Sequence, residues 1–199
     1  MKRLIDILGA GLGLVLLAPV LVVVALCVRL KLGRPVLFRQ PRVGRDEKIF
    51  NLIKFRTMRE ATDAAGRPLP DAERLTRFGR LLRATSLDEL PELWNILKGD
   101  MSLVGPRPLL VEYLPHYTPQ ERRRHAVRPG LTGLAQVRGR NALSWRHKFR
   151  YDVFYVDHAS VAFDLRIMIW TVAAILRRDG ISAPGEATMQ RLDNERSGR

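Results

Sequence analysis

A chain of 199 residues is long enough for one domain with a substantial core. Lysine and arginine number 34 against 20 aspartates and glutamates, a net charge of +14, so the expected partner is anionic: nucleic acid, lipid headgroups or a phosphorylated small substrate. The single cysteine, Cys27, excludes an internal disulfide and a cysteine-based zinc cluster; lying in an apolar run, it reads as a small hydrophobe and fits a reducing cytosolic face.

From Leu4 to Val28 the only charge is Asp6. As one helix these residues would reach about 37 Å, enough for a hydrocarbon core of about 30 Å. A cleaved leader is rejected, because the run ends in Arg29, Lys31 and Arg34 and not in a small-residue cleavage site. Lys2 and Arg3 precede it, so positive charge flanks both ends and suits a segment whose two ends stay cytoplasmic. Pro19 predicts a kink or break near the middle, and Gly9, Gly11 and Gly13 add flexibility. Two readings fit: a single span with a tolerated proline, or a helix–break–helix that enters the bilayer and returns.

Next, "PVLFRQPRVGRDEKIFNLIKFRTM" predicts two short strands, Val36–Gln40 and Lys48–Phe55. Lys54 and Arg56 alternate with apolar neighbours, so both face one side, toward a substrate or toward solvent. "EATDAAGRPLPDAE" reads as a surface loop. Arg74 to Thr85 carries Leu75, Phe78, Leu81 and Leu82 at helical spacing between arginines, a basic amphipathic helix suited to an anionic membrane surface or to a solvated face. Pro106, Pro108, Pro115 and Pro119 keep any helix short across "MSLVGPRPLLVEYLPHYTP". "VRPGLTGLAQVRGRN" reads as an irregular glycine-rich loop able to bring backbone N–H groups to a ligand. "SVAFDLRIMIWTVAAILRRDG" predicts an apolar core or interface-lying helix, and the polar tail from Ile181 is expected to be disordered. His116, His125, His147 and His158 show no metal-ligand spacing.

The chemistry concentrates in "TSLDELPELWN", where Asp88 and Glu89 stand side by side in a cationic chain. Ser86-x-x-Glu89 matches a capping box, and Asp88 could equally cap the helix that Pro91 forces to begin near Leu87 to Glu89. Capping accounts for one carboxylate and leaves the second unexplained. Two adjacent carboxylates beside a phosphate-binding helix start would need a divalent cation, lysine or arginine; Mg²⁺ suits carboxylate oxygen and bridges substrate phosphates. An aspartate there can attack phosphorus covalently.

"SLDELPELWNILKGDMSLVGPRPL" resembles the signature of the bacterial sugar transferases that are small monotopic phosphoglycosyl transferases. "KRLIDILGAGLGLVLLAPV", "FRQPRVGRDEKIFNLIKFRTM", "VRPGLTGLAQVRGRN" and "YDVFYVDHASVAFDLRIM" are similar to further family blocks in family order, covering roughly Lys2 to Arg177. The resemblance implies transfer of a phospho-sugar from a UDP-sugar, of the N-acetylated hexosamine type usual for small members, to undecaprenyl phosphate with release of UMP. It implies Mg²⁺ at the Asp88–Glu89 pair, Asp88 as nucleophile, forming a covalent phospho-sugar intermediate, and Glu89 as its partner, helping place the metal or handling a proton. It also implies a re-entrant membrane helix broken near a Ser-Pro or similar dipeptide; here the dipeptide is Ala18-Pro19, so the proline is kept and the serine hydroxyl is not.

Within that frame Arg107, between the prolines of "GPRP", is a candidate bidentate phosphate clamp. Lys54, Arg56, Arg128 and Arg138 are candidate contacts to the phosphates or the nucleotide, and Asp152 and Asp157 organise the arginines, bind ribose or form surface pairs. The expected fold is α+β and predominantly helical, with residues 1–34 as re-entrant membrane helix and flank, 35–180 as a catalytic domain with a β-hairpin and interfacial helices, and 181–199 as a tail. The expected place is the cytoplasmic face of a bacterial inner membrane, against membrane phospholipid, with a homodimer left open. No recognisable nucleic-acid module is present, so nucleic acid is not an expected partner. The rivals are a nucleic-acid binder, a membrane-tethered scaffold whose acids merely cap a helix, and a polytopic transferase, which would need more spans.

Overall fold

The computed structural model describes residues 1–63, 65–67, 69–139, 142–177 and 192–197. A proline at position 19 cannot continue a helix whose Val15 carbonyl it would strike. The N-terminal segment accordingly forms α1 (Lys2–Leu16) and α2 (Ala18–Leu32), bent by 63° at Leu17, with Pro19 in the first turn of the second helix. No single helix among the described residues is long and apolar enough to cross a membrane; the bent pair together passes on length and composition. Leu4, Leu8, Leu12, Val15 and Leu16 of α1 and Val22, Val23, Leu26 and Leu30 of α2 are exposed.

The hairpin follows as β1 (Leu37–Val43) and β2 (Ile49–Phe55), antiparallel, with Leu37 opposite Phe55 and Val43 opposite Ile49. The first strand runs three residues past the expected Gln40: Pro41 lies where β1 has no ladder beyond β2 among the described residues, and the far end is held by the Arg42–Leu110 bridge and by Val43 N–H to the Leu109 carbonyl at 3.2 Å. The predicted Arg74–Thr85 helix divides into α3 (Asp71–Arg74) and α4 (Arg77–Ala84). Leu75 bridges to Met58, and the Thr76 hydroxyl accepts from the Gly79 amide at 3.0 Å, so a new helix starts there. α4 buries Gly79 and Leu82 and leaves Leu81 exposed.

Helix α5 (Glu92–Lys98) packs on α1 through Leu93 and Ile96, which share a core with Ala10, Leu52 and Met101. Gly9 and Gly13 are the fitting points of α1: a Cβ at Gly9 would lie 2.7 Å from Leu103, and one at Gly13 3.3 Å from Leu93. They provide close packing where flexibility was expected. β3 (Ser102–Val104) then leads to α6 (Pro119–Arg122) and to β4 (Gly130–Thr132), which pairs parallel with β3. The glycine-rich stretch is therefore not an irregular loop: it forms β4 and then α7 (Leu134–Arg138). A Cβ on Gly130 would fall 2.0 Å from the Gly105 nitrogen, so these glycines bring backbone against backbone, not against a ligand.

α8 (Trp145–His158) and α9 (Val161–Arg177) close the body, α9 burying Ile167 while Leu165, Ile169 and Val172 point outward. Of the tail expected to be disordered from Ile181 onward, 181–191 and 198–199 lie outside the described residues. Residues 192–197 form α10 (Leu192–Ser197), ordered because Leu192 is buried with Tyr113, Tyr117, Trp145 and Phe149. Among the described residues the architecture is α+β and mostly helical, with two two-stranded sheets.

The one acid of α1 has a partner set. Asp6 is 3% exposed and accepts from the Ser102 hydroxyl at 2.8 Å and the Leu103 amide at 2.9 Å, tying α1 to β3. Asp6→Ala strips the buried Ser102 hydroxyl and the half-buried Leu103 amide of their acceptor, a loss of about 2 kcal/mol. Thermal unfolding in detergent micelles checks this: the midpoint should fall, and an unchanged midpoint would show that the pair contributes nothing.

Candidate active site

Ser86 holds a left-handed backbone (φ 56°), and the chain turns from it into a single 3₁₀ turn, Leu87–Glu89. Pro91 then stands as N-cap of α5, with no side-chain cap. The capping box does not form: Ser86 makes no side-chain cap bond, and the only link is Glu89 N–H to the Ser86 carbonyl at 3.2 Å. Nor does Asp88 cap, because the α-helix begins at Glu92, beyond the proline. Leu87 seats the turn on Val24 and Val28 of α2 together with Phe55 and Leu82. Neither carboxylate is consumed by helix initiation.

The two acids differ sharply. Both Lys54 Nζ (2.9 Å) and Arg107 Nη2 (2.5 Å) converge on Glu89 Oε1, and Lys54 also lies 3.1 Å from Glu92 Oε1. Burial alone would raise the Glu89 pKa, but Arg107 and Lys54 hold it well below the usual carboxylate range. Asp88 is 7% exposed, and no hydrogen bond or ion pair reaches its carboxylate from any described residue. Burial, then the Glu89 charge, pushes its pKa up to about 6, against the pull of Lys54, Arg83 and Arg107. The pair is one anchored anion beside one uncommitted carboxylate. The Arg107 side chain remains 44% exposed, with surface left for a second anion.

Lys54, Asp88, Glu89 and Arg107 are thus brought together; the other candidates are not. Arg56 lies one residue beyond the end of β2, so strand alternation no longer governs it. It donates to the Leu32 carbonyl at the end of α2 and pairs with Glu60. Arg128 donates to the Gly99 carbonyl (2.9 Å) at the opposite end of α5, and Arg138 stacks over Trp170 at 4.8 Å. Asp157 pairs with Arg123 on the surface. Asp152 is buried against Arg124 at 2.8 Å, and Arg124 donates onward to the Arg107 carbonyl.

Sequence reasoning missed Glu92, which is 2% exposed and whose pKa burial raises to about 7, as well as Arg124 and Arg42. For Glu92 a signal existed, since it follows Glu89 by three residues, the spacing of helical neighbours. For Arg124 and Arg42 the link to the Arg107 segment gave none, because it runs through the backbone carbonyls of Arg107 and Pro108. The donor set fits Mg²⁺ shared with substrate phosphates: two adjacent oxygen-donor carboxylates, one uncommitted. It does not fit an all-protein cage, since no group of three or more His, Cys, Asp or Glu that could hold a metal occurs among the described residues.

The family model for bacterial sugar transferases matches residues 1–178. A Bacillus subtilis protein described as an uncharacterized sugar transferase, EpsL, is 50% identical over 192 residues, covering 96% of this chain and 95% of the relative. The UDP-glucose:undecaprenyl-phosphate glucose-1-phosphate transferase of Caulobacter vibrioides is 42% identical over 89% of this chain and 70% of its own. An Aeromonas hydrophila UDP-N-acetylgalactosamine-undecaprenyl-phosphate N-acetylgalactosaminephosphotransferase is 37% identical over 88% of this chain, which spans 43% of that longer relative. The chain belongs to the bacterial sugar transferase family and is a phosphoglycosyl transferase.

The buried cluster sets a pH test. The Glu92 pKa stands above its ordinary 4.5, so the fold holds a proton that the unfolded chain releases; the group's contribution to stability falls as pH rises from 4.5 to about 7. Lys54→Met removes the cation that opposes this. The stability lost by the variant, read from thermal unfolding, should be greater at pH 8 than at pH 5, and equal losses would mean that Lys54 does not compensate Glu92.

Proposed function

We propose that this enzyme transfers a phospho-sugar from a UDP-sugar to undecaprenyl phosphate, releasing UMP, through a covalent intermediate on Asp88. The observation that carries the reading is the asymmetry of the dyad: Glu89 is fixed by Arg107 and Lys54, while Asp88 has its carboxylate uncommitted. An Asp88 oxygen attacks the sugar-bearing phosphorus of the UDP-sugar; the bond to the bridging oxygen breaks and UMP leaves with that oxygen. An oxygen of the lipid phosphate then attacks the same phosphorus, forming the lipid diphosphate sugar and returning Asp88 as carboxylate. With the Asp88 pKa near 6, most of the nucleophile is ionised at neutral pH.

Arg107, anchored by Glu89 on one side and open on the other, is suited to hold a phosphate and to face the charge that develops on it. Mg²⁺, held by Asp88 and Glu89 together with substrate phosphates, would supply neutralisation of the diphosphate. The named substrates of the relatives share UDP and undecaprenyl phosphate and differ in the sugar, glucose in one and N-acetylgalactosamine in another. An N-acetylated hexosamine remains the proposed sugar class.

The membrane seat is read as re-entrant, on the cytoplasmic face of the bacterial inner membrane. What supports this is that both ends of the bent pair are tied to the same body. At the start of α1, Lys2 pairs with Asp164, and Arg3 donates to the carbonyls of Ile96 (2.6 Å) and Leu97 (2.8 Å). At the end of α2, Arg56 binds the Leu32 carbonyl. A straight span would carry those ends to opposite faces. The exposed apolar faces of α1, α2 and α9 would then meet lipid, and the chain's positive charge would hold it on anionic headgroups.

The test is UMP release from a panel of UDP-glucose, UDP-galactose, UDP-N-acetylglucosamine and UDP-N-acetylgalactosamine, with undecaprenyl phosphate and Mg²⁺. At least one donor should give UMP with the wild type. Asp88→Asn should keep its thermal midpoint and lose at least about a thousandfold in rate, the scale of removing a reacting group. EDTA should abolish turnover, and added Mg²⁺ should restore it. Folded wild type that releases UMP from no donor would refute the reading.

A further inference from the structure

The "GPRP" segment carries a structural problem. Two of its residues are prolines, which donate no backbone hydrogen bond, so beyond the Gly105 amide, which donates to the Thr132 carbonyl at 2.9 Å, the main chain around Arg107 is held through carbonyls. The carbonyls of Pro106, Arg107 and Pro108 are all taken, each by a donor from a different part of the chain. The Pro106 carbonyl accepts from the Gly130 amide at 3.0 Å, the Arg107 carbonyl from Arg124 Nη2 at 2.6 Å, and the Pro108 carbonyl from Arg42 Nη1 at 3.4 Å.

Two of the three donors are guanidinium groups brought to neutral backbone oxygens. Arg124 is 3% exposed, and Nε (3.0 Å) and Nη2 (2.8 Å) both reach the same oxygen of Asp152, itself 4% exposed. A buried arginine is costly unless compensated. Asp152 compensates it and fixes the plane of the guanidinium, so that Nη2 can reach the Arg107 carbonyl as well. Arg42 is held by Gln40 Oε1 at 2.6 Å. Packing below Arg124 comes from Tyr117 and Phe149, whose rings lie 5.9 and 5.8 Å from it.

We infer that Arg124, held by Asp152, is a positioning residue for Arg107: it fixes the peptide from which that guanidinium reaches Glu89 and the substrate phosphate. Arg42 performs the same task one residue on. Arg124 touches no reacting atom; it acts through the geometry of Arg107. A lysine in its place keeps the charge opposite Asp152 but, as a point charge without the planar fork, cannot hold the carboxylate and the carbonyl together.

This rests on the transferase reading, and two measurements keep the two separable. The first is a double-mutant cycle on UMP release. Arg124→Lys should lower kcat/KM about tenfold in the wild-type background, mainly through KM for the UDP-sugar, and less than about twofold in an Arg107→Ala background, because the effect passes through Arg107. Equal losses in both backgrounds, or none in the first, would overturn the inference. The second needs no activity: amide hydrogen exchange over residues 103–112 should quicken in Arg124→Lys while α5 and β2 stay unchanged. Unaltered exchange across 103–112 would overturn it, even if the wild type proved inert toward every UDP-sugar. Should Arg124→Lys not fold, Asp152→Asn, which loosens the grip on Arg124 without emptying the site, is read the same way.

Discussion

The arrangement depends on one carboxylate. Glu89 sits with Asp88 beside it and Glu92 one turn on, three acids that burial would otherwise drive toward protonation. Arg107 and Lys54 meet on a single Glu89 oxygen and keep it anionic. Those two cations come from distant parts of the chain, Lys54 from the hairpin and Arg107 from the proline-flanked segment after β3. The hairpin, the β3–β4 pair and the 3₁₀ turn must therefore all be in place before the dyad exists. Because Glu89 absorbs the cations, Asp88 is left with burial and a neighbouring negative charge. An acid in that setting is ionised at neutral pH yet more basic than an exposed aspartate, a combination suited to nucleophilic attack.

The same logic extends to where the site sits. Leu87 rests the turn on α2, so the dyad is built directly onto the apolar helix pair. Charged groups of α1 that would be liabilities in lipid are turned inward. Asp6 accepts from Ser102 and Leu103, while Lys2 joins Asp164, whose other oxygen takes the Tyr155 hydroxyl at 2.6 Å. These contacts fix the bent pair to the body at several points, leaving its outward face apolar. An enzyme that moves a phospho-sugar from a water-soluble nucleotide sugar to a lipid phosphate would need its reacting group at such a boundary.

What the sequence made legible was local. A proline in an apolar helix and alternation around a polar turn are short-range signals, and each produced the element expected near its place; the pair of acids before Pro91 marked the site, but the α-helix expected near Leu87 to Glu89 begins only at Glu92, after a 3₁₀ turn. The parallel β3–β4 pairing escaped because two three-residue strands far apart in sequence carry no period. Its glycines were read as reaching for a ligand when they are there to let backbones touch. Arg56 was placed by carrying strand alternation one residue past Phe55, whereas its side chain turns to the Leu32 carbonyl. Arg128 and Arg138 were grouped by composition, whereas one binds the end of α5 and the other an indole ring. The capping box failed because Ser86 adopts a left-handed backbone, which no spacing rule reveals. Glu92 could have been read from helical spacing; the link of Arg124 and Arg42 to the Arg107 segment could not, because it runs through carbonyl oxygens, identical at every position of a sequence.

The most direct measurement is intact-protein and peptide mass spectrometry of the wild type incubated with an accepted UDP-sugar and Mg²⁺ but without undecaprenyl phosphate. The account predicts close to one UMP per enzyme and a mass gain of one phospho-sugar on the peptide that contains Asp88, lost when the lipid phosphate is added. UMP appearing only once the lipid acceptor is present, with no adduct on that peptide, would contradict it.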